Sequence, residues 1–312
     1  MEQLFELKKR IKSVSDIEQM TKAMQLVSSA KMRKSRALLE QVLPFFSICA
    51  ESMVELRKHN HDIDNPFFRF REKKEGDPWK IGYFILTGDQ GMAGAYNHNV
   101  IRLAEDHIKE KRKENHELGL NAEITLYVFG SVGKEKLVRD GYPIDLDFSF
   151  PITEPNYYDA RNVADIIRRK YIEQELDSIY VVYTQMDSPV KIKPVVTRIV
   201  PVNEIALHEL FTKPHIEDAG MATSGGELSY HPNADDVFSY LIDIYLNAMM
   251  YGAMVEAYAS EQTARMTAMD NATQNAKEMM VDLTLRTNQA RQTKITNELI
   301  EIVNGAEQVK GL

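Results

Sequence analysis

The sequence predicts an α/β domain with a central, mostly parallel sheet, carried on a long two-helix coil made from the two ends of the chain. Three observations predict this. Met1–Leu43 and Ala253–Asn304 contain neither glycine nor proline, while most residues of both types lie between them. Both end segments repeat apolar or small residues in steps of three and four, the period of a helical seam. The middle alternates β-rich apolar runs with helical patterns, which implies parallel strands covered on both faces.

The end segments come first. At a rise of about 1.5 Å per residue they would form helices of roughly 65 and 80 Å. Helices so far above the usual length of about 11–12 residues must pack on each other or on something outside the domain. The N-terminal seam starts Leu4, Leu7, Ile11, Val14, and the apolar residues then predict a one-residue shift to Ile17, Met20, Met24 and Val27. The C-terminal seam reads Gln262, Met266, Met269, Thr273, Ala276, Met280, Leu283, Thr287, Ala290. These residues are small, polar or Met, so the helices can approach closely while burying little apolar area. A Met or Ala stripe of this kind is ordinarily just core.

In the middle, IGYFILTGD (81–89), EITLYVFG (123–130) and SIYVVYTQM (178–186) read as strands. Segments 98–115 and 157–174 read as the helices between them, and a further strand pattern at 192–202 closes the domain. Residues 59–78 and 212–233 look like mobile insertions, from their Gly, Pro and polar content. The boundaries are thus 1–58 for the N-terminal coil helix and 59–78 for a loop. The α/β domain takes 79–211, a flexible loop 212–233, and the C-terminal coil helix 234–312.

Composition excludes several classes. A net charge of −8 disfavours a general nucleic-acid binder. Residues 1–36 nevertheless hold nine Lys/Arg against four acids, a local balance of +5. That is either a solvated helix face or a surface meeting an acidic protein partner. The single cysteine, Cys49, excludes a disulfide framework, suits a reducing cytosol, and reads as a buried structural thiol. No run approaches the roughly 20 apolar residues needed to span a bilayer. The first ten residues, MEQLFELKKR, resemble neither a signal peptide nor, with Glu2 and Glu6, a transit peptide. Membrane attachment is therefore expected only through partners.

A search for chemistry finds little. TGDQGMAGAYN, residues 87–97, follows a strand and precedes a helix, where a Gly-rich loop can hold phosphate. Its glycines, Gly88, Gly91 and Gly94, have neither the spacing of a dinucleotide fingerprint nor the Gly-Lys-Ser/Thr ending of a P-loop. A tight strand-to-helix turn is the plainer reading. His59 and His61 near Asp62 and Asp64 have no second ligand cluster to complete a metal site. No nucleophile elbow, zinc-binding His-Glu pair or Cys pair is present, so no catalytic residue, cofactor or metal is assigned. Two rivals remain: a nucleotide-dependent enzyme using the 87–97 turn, and a self-associating coiled-coil protein.

Three blocks resemble the gamma subunits of F-type ATP synthases: residues 11–35, the TGDQGMAGAYN turn, and most specifically SEQTARMTAMDNATQNAKEMMVDLTLRTNQARQTKITNELIEIVNGA, residues 260–306. Their order matches, and the resemblance covers essentially the whole chain. One departure lies in the turn, where the family usually reads Ser-Asp-Arg-Gly-Leu-Cys-Gly. Asp89 is kept, but Gln90, Met92 and Ala93 replace the usual Arg, Leu and Cys. The turn glycines Gly91 and Gly94 remain.

The resemblance implies a Rossmann-like domain and an antiparallel coil standing inside a hexamer of alpha and beta subunits. It implies a non-catalytic rotor that couples ion flow to ATP synthesis or hydrolysis. Alpha, beta, delta and epsilon subunits and a membrane c-ring are the implied partners, at the cytoplasmic face of a bacterial plasma membrane. It also implies shaft contacts to beta at Met24, Arg265, Arg291, Gln292, Thr296 and Glu298.

Overall fold

The structure is a computed structural model that describes residues 2–59, 65–68, 70–73, 76–150, 154–188, 191–202 and 233–310. Residues 212–232 of the expected second loop, and His61, Asp62 and Asp64 of the first, lie outside the described residues. The elements run α1 (Glu2–His59), a 3-10 turn (Pro66–Phe68), β1 (Trp79–Leu86), α2 (Tyr96–Glu117), β2 (Ala122–Phe129), α3 (Ser131–Arg139), α4 (Tyr157–Ile172), β3 (Ser178–Ser188), β4 (Lys191–Val200) and α5 (Ala234–Lys310). The chain divides into two compact units: residues 30–264, and the two helix ends 1–29 with 265–312.

In the larger unit the sheet order is β2-β1-β3-β4. The first two pairings are parallel and β3/β4 is antiparallel, so the mostly parallel sheet expected from sequence is present. The two-residue period of the strands divides them between two cores. Ile81, Tyr83 and Ile85 of β1, with Ile124, Leu126 and Val128 of β2, meet Val100, Ile101, Ala104 and Ile108 of α2. On the other face Phe84, Leu86, Tyr127, Phe129 and Val181 meet Val163 and Ile167 of α4. The later part of α1 (Phe46, Ala50, Met53) and the earlier part of α5 (Tyr245, Met249, Met250, Val255) join the same core. Asn156 caps α4, its side chain accepting from the Asp159 N–H at 2.9 Å.

Both terminal helices outrun the Gly/Pro-free segments that announced them. α1 carries Pro44 in its interior, and α5 carries Gly252. Pro in a helix interior costs about 3 kcal/mol, but here its neighbours Leu43 and Phe46 pack in the domain core and tertiary burial prevails. The expectation that no segment is apolar enough to span a bilayer also needs correction. Within Leu4–Leu56 an 18-residue window has mean hydropathy 1.3, long and apolar enough by length and composition, with 28% of it buried. Leu39, Phe46, Ala50, Met53 and Leu56 are core residues, which accounts for part of its apolarity.

Two further differences concern short elements. α3 was not anticipated, because SVGKEKLVR is brief and contains a glycine. The described part of 59–78 is a packed strap rather than a mobile loop. Phe67 is buried, its carbonyl accepts from the Val202 N–H at 2.7 Å, and the Tyr171 hydroxyl donates to the Pro66 carbonyl at 3.0 Å. Arg71 lies over the Tyr171 ring at 4.4 Å and donates to the Leu176 and Tyr171 carbonyls, capping the chain end of α4. The wholly buried Asp177 carboxylate accepts from Lys73 at 2.7 Å, from Arg71 at 3.4 Å and from the Lys80 N–H at 2.9 Å.

In the smaller unit α1 and α5 are antiparallel. Thr21 meets Thr273 and Gln25 meets Asp270, so partner numbers fall as position along α1 rises. Val14, Ala276 and Leu283, with Leu7, Ile11 and Met280 beside them, form a small apolar cluster. The expected C-terminal seam is borne out: from Gln262 to Ala290 every seam residue is buried or half-buried. The expected N-terminal shift is not. The inward line continues from Val14 through Glu18, Thr21, Gln25 and Ser28, all buried or half-buried. Ile17, Met20 and Val27 face outward at 49%, 63% and 53% exposure, and Met24 is half-buried.

Candidate functional site

Two places carry functional weight: the turn after β1, and the outward surface of the helix pair. Each belongs to one unit.

The turn begins at Thr87, which has no exposed surface. Its hydroxyl donates to the Phe129 carbonyl at 2.6 Å and accepts from the Gly133 N–H at 3.1 Å. A Cβ on Gly133 would stand 2.2 Å from that oxygen, so the glycine permits the approach of α3. The Gly88 N–H donates to the Asn97 side chain at 2.8 Å, and Asp89 accepts from the Ser131 N–H at 2.9 Å. Gly94 takes a left-handed φ of 56°, the conformation glycine adopts at least cost. Gly91, expected to matter equally, has no heavy atom within 4 Å of a Cβ position, and Met92 supplies the other left-handed residue at φ 62°.

α5 crosses the carboxyl ends of the strands. The Tyr96 hydroxyl donates to the Ala257 carbonyl at 3.0 Å, and Ser260 donates to the Thr184 carbonyl at 3.0 Å. The buried Glu256 carboxylate accepts from the Met186 N–H at 3.2 Å. Burial first, and then this carboxylate, push the Tyr183 hydroxyl far above its usual pKa. Glu261, also buried, sets its carboxyl group where a Cβ on Gly88 would meet it at 2.7 Å. In open α/β sheets this carboxyl-end crevice is where ligands usually bind. Here a helix fills it, and the Glu261 carboxyl group occupies the space beside Gly88. The 87–97 turn acts as a clamp between sheet and helix.

Among the described residues there is no cluster of three or more His, Cys, Asp or Glu able to hold a metal. Cys49 is buried and burial raises its thiol pKa, as a structural thiol requires. A groove of ≈ 820 Å³ lies against α4, lined by Arg161, Arg168, Arg169, Asp165, Glu173 and Asp243 among others. Arg168 pairs with Asp243 at 3.6 Å, and the balanced charges favour no one class of ligand.

On the helix pair, Arg291, Gln292, Thr296 and Glu298 are all exposed. Glu298 pairs with Lys294 at 3.4 Å; among the described residues the side chains of Arg291, Gln292 and Thr296 make no hydrogen bond or ion pair. Arg265 differs: it is buried and engaged within the chain. Continuing the Thr21–Thr273 register brings the start of α1 opposite the region of Gln292. Among the described residues the rest of α5 runs on without α1 beside it, and Ile295, Leu299, Ile300, Ile302 and Val303 are exposed there. Sequence reasoning missed this outer set, although their apolar character was in view.

The family model described as ATP synthase matches residues 3–309. The ATP synthase gamma chain of Ruminiclostridium cellulolyticum is 39% identical over 98% of both chains. The chain belongs to the ATP synthase gamma family. A sodium-ion-specific gamma chain from Acetobacterium woodii is 36% identical, again over 98% of each chain. Among solved structures, a chain of the Euglena gracilis mitochondrial ATP synthase (OSCP/F1/c-ring, rotational state 3) has TM-score 0.60 and 17% identity. The match covers 98% of this chain and 94% of that one. Gamma chains are the central-stalk subunits of F-type ATP synthase, and they are rotor parts rather than catalysts. That membership removes the rival reading of a nucleotide-dependent enzyme.

Proposed function

We propose that this chain is the shaft that transmits rotation between an ion-driven c-ring and a hexamer of alpha and beta subunits. The helix pair stands inside the hexamer. The α/β domain meets the epsilon subunit and the c-ring, and delta completes the soluble sector. The chain reaches the cytoplasmic face of the membrane only through these partners. The observation that carries the reading is the outward surface of the helix pair. Ile17, Met20 and Val27 on α1, and Ile295, Leu299, Ile302 and Val303 on α5, are exposed, while Glu18, Thr21, Gln25 and Ser28 of α1 take inward positions. A free two-helix coil gains nothing from that arrangement. A shaft enclosed by a sleeve needs outward residues that slide, and gains from a seam that does not dominate its adhesion.

Met24, Arg291, Gln292, Thr296 and Glu298 are the residues we assign to beta contact, with Arg265 supporting the helix from within. A contact formed at only some rotor angles biases the beta subunits differently at each angle, which is the free-energy link that coupling requires. The test is co-purification from membranes. The reading expects this chain with alpha, beta, delta, epsilon and ring subunits in fixed proportion; recovery of the chain alone, or as a homodimer, would refute it.

A further inference from the structure

Glycine inside a helix weakens it relative to alanine, so a helical glycine calls for a reason. Between Ala234 and Asn304 the sequence carries one, Gly252. A common reason is close approach by a neighbour. It does not apply here, because a Cβ at Gly252 would meet nothing within 4 Å. Gly252 instead lines a cavity of ≈ 30 Å³ among α1, β3 and α5. One water needs about 10–15 Å³ of such space, so the cavity admits one and at most two. Gly252, Leu43 and Gln185 on its wall are half-buried, which gives solvent a way in.

Size alone does not decide the occupant, since a purely apolar cavity stays dry. Leu43, Phe46 and Met249 supply an apolar wall, but Glu256 and Gln185 bring polar groups. The buried Glu256 carboxylate accepts from the Met186 N–H at 3.2 Å. A carboxylate accepts at about four positions, so that bond does not exhaust it. Gln185 directly precedes Met186 on β3, and among the described residues its side chain makes no hydrogen bond. Tyr183, the third polar residue of the wall, has its hydroxyl bonded to the Thr197 side chain. A buried carboxylate and an amide that line one water-sized space form the setting in which proteins hold ordered water, typically through about three hydrogen bonds.

We propose that the space beside Gly252 binds one ordered water, which bridges the Glu256 carboxylate of α5 to the Gln185 amide of β3. The water donates to the carboxylate and meets the amide with its other hydrogen or a lone pair. Glycine stands at 252 because a side chain there would take up the water's space. Residue 252 lies one helical turn before Glu256, on the same face. The site does not depend on the rotor reading.

The test uses the full-length chain. A crystal structure that resolves ordered solvent should show one peak beside Gly252, within hydrogen-bond distance of Glu256 and Gln185. Thermal unfolding gives a second readout. Helix propensity ranks alanine above serine, and a dry cavity would favour the methyl as well. With the water bound, the order reverses. Gly252→Ala expels the water and strands the groups it served, while the Gly252→Ser hydroxyl takes its place. Gly252→Ser should therefore melt about 2–4 °C above Gly252→Ala. Gln185→Leu removes one end of the bridge and should narrow that gap. The absence of a solvent peak beside Gly252 would overturn the proposal. So would Gly252→Ala melting at or above Gly252→Ser, or a gap that Gln185→Leu leaves unchanged.

Discussion

Gly133→Ala is the sharpest test of the clamp between the sheet and its helices. The new methyl would sit 2.2 Å from the Thr87 hydroxyl oxygen and 2.6 Å from its methyl. Thr87 cannot rotate away cheaply, because it is wholly buried and its hydroxyl serves two hydrogen bonds. Overpacking a tight core costs about 1–3 kcal/mol, and each hydrogen bond given up costs about 1 kcal/mol more. A loss near 3 kcal/mol is therefore expected, a fall of about 6–12 °C in the melting of a unit this size. The assay is thermal unfolding of the full chain, with Gly91→Ala as control. At Gly91 the added methyl touches nothing within 4 Å and the change should stay within about 0.5 kcal/mol. Thr87→Ala combined with Gly133→Ala should recover part of the loss by removing the two nearest atoms. A Gly133→Ala protein that melts like its parent would refute the reasoning.

Three further outcomes are expected. Arg291→Ala with Gln292→Ala should leave the melting temperature unchanged, since both side chains are exposed and form no intrachain bond; ATP synthesis by the assembled enzyme should fall severalfold, and full rates would remove these residues from the contact. Asp177→Ala should destabilise the larger unit by about 3–5 kcal/mol, measured by denaturant titration, because it strands Lys73 and the Lys80 N–H around a buried site. Burial, and then Lys111, lower the His107 pKa from 6.5, with Glu110 and Glu114 opposing, and its Nδ1 shares a 2.9 Å hydrogen bond with Tyr83. A depressed pKa means the unfolded chain takes up the proton first, so this contribution is intact above pH 6.5 and is lost as pH falls toward the folded value. Melts between pH 7.5 and 5 should show a shallower decline in His107→Gln than in the parent.

How much of this was legible in the sequence depends on what fixes each element. Strands β1, β2 and β3 were legible because burial on both faces demands continuous apolar runs, and no other local structure suits them. The C-terminal seam was legible because its step pattern persists whichever residue type fills it. α3 was not, since its length falls below any periodic signal and its glycine is there for Thr87, a contact no local reading reveals. The strap at 65–73 was hidden for a similar reason. Its Phe67 is buried, and Arg71 and Lys73, charged residues in a polar stretch, hold Asp177, a contact distant in sequence. The N-terminal seam misled for the opposite reason. Apolar residues normally mark the inward face of an amphipathic helix, and Ile17, Met20 and Val27 pulled the expected seam after them. The true inward line keeps the spacing of Leu7, Ile11 and Val14 and accepts Glu18, Thr21, Gln25 and Ser28 to do so. Register with α5 overrode local apolarity. Over residues 17–28 the helix turns polar residues to its partner and apolar residues outward, which adds little stability to the pair alone. That arrangement suits a subunit whose outer surface works against other chains, so the outward Ile17, Met20 and Val27 say more about function than the inward seam of α5 does.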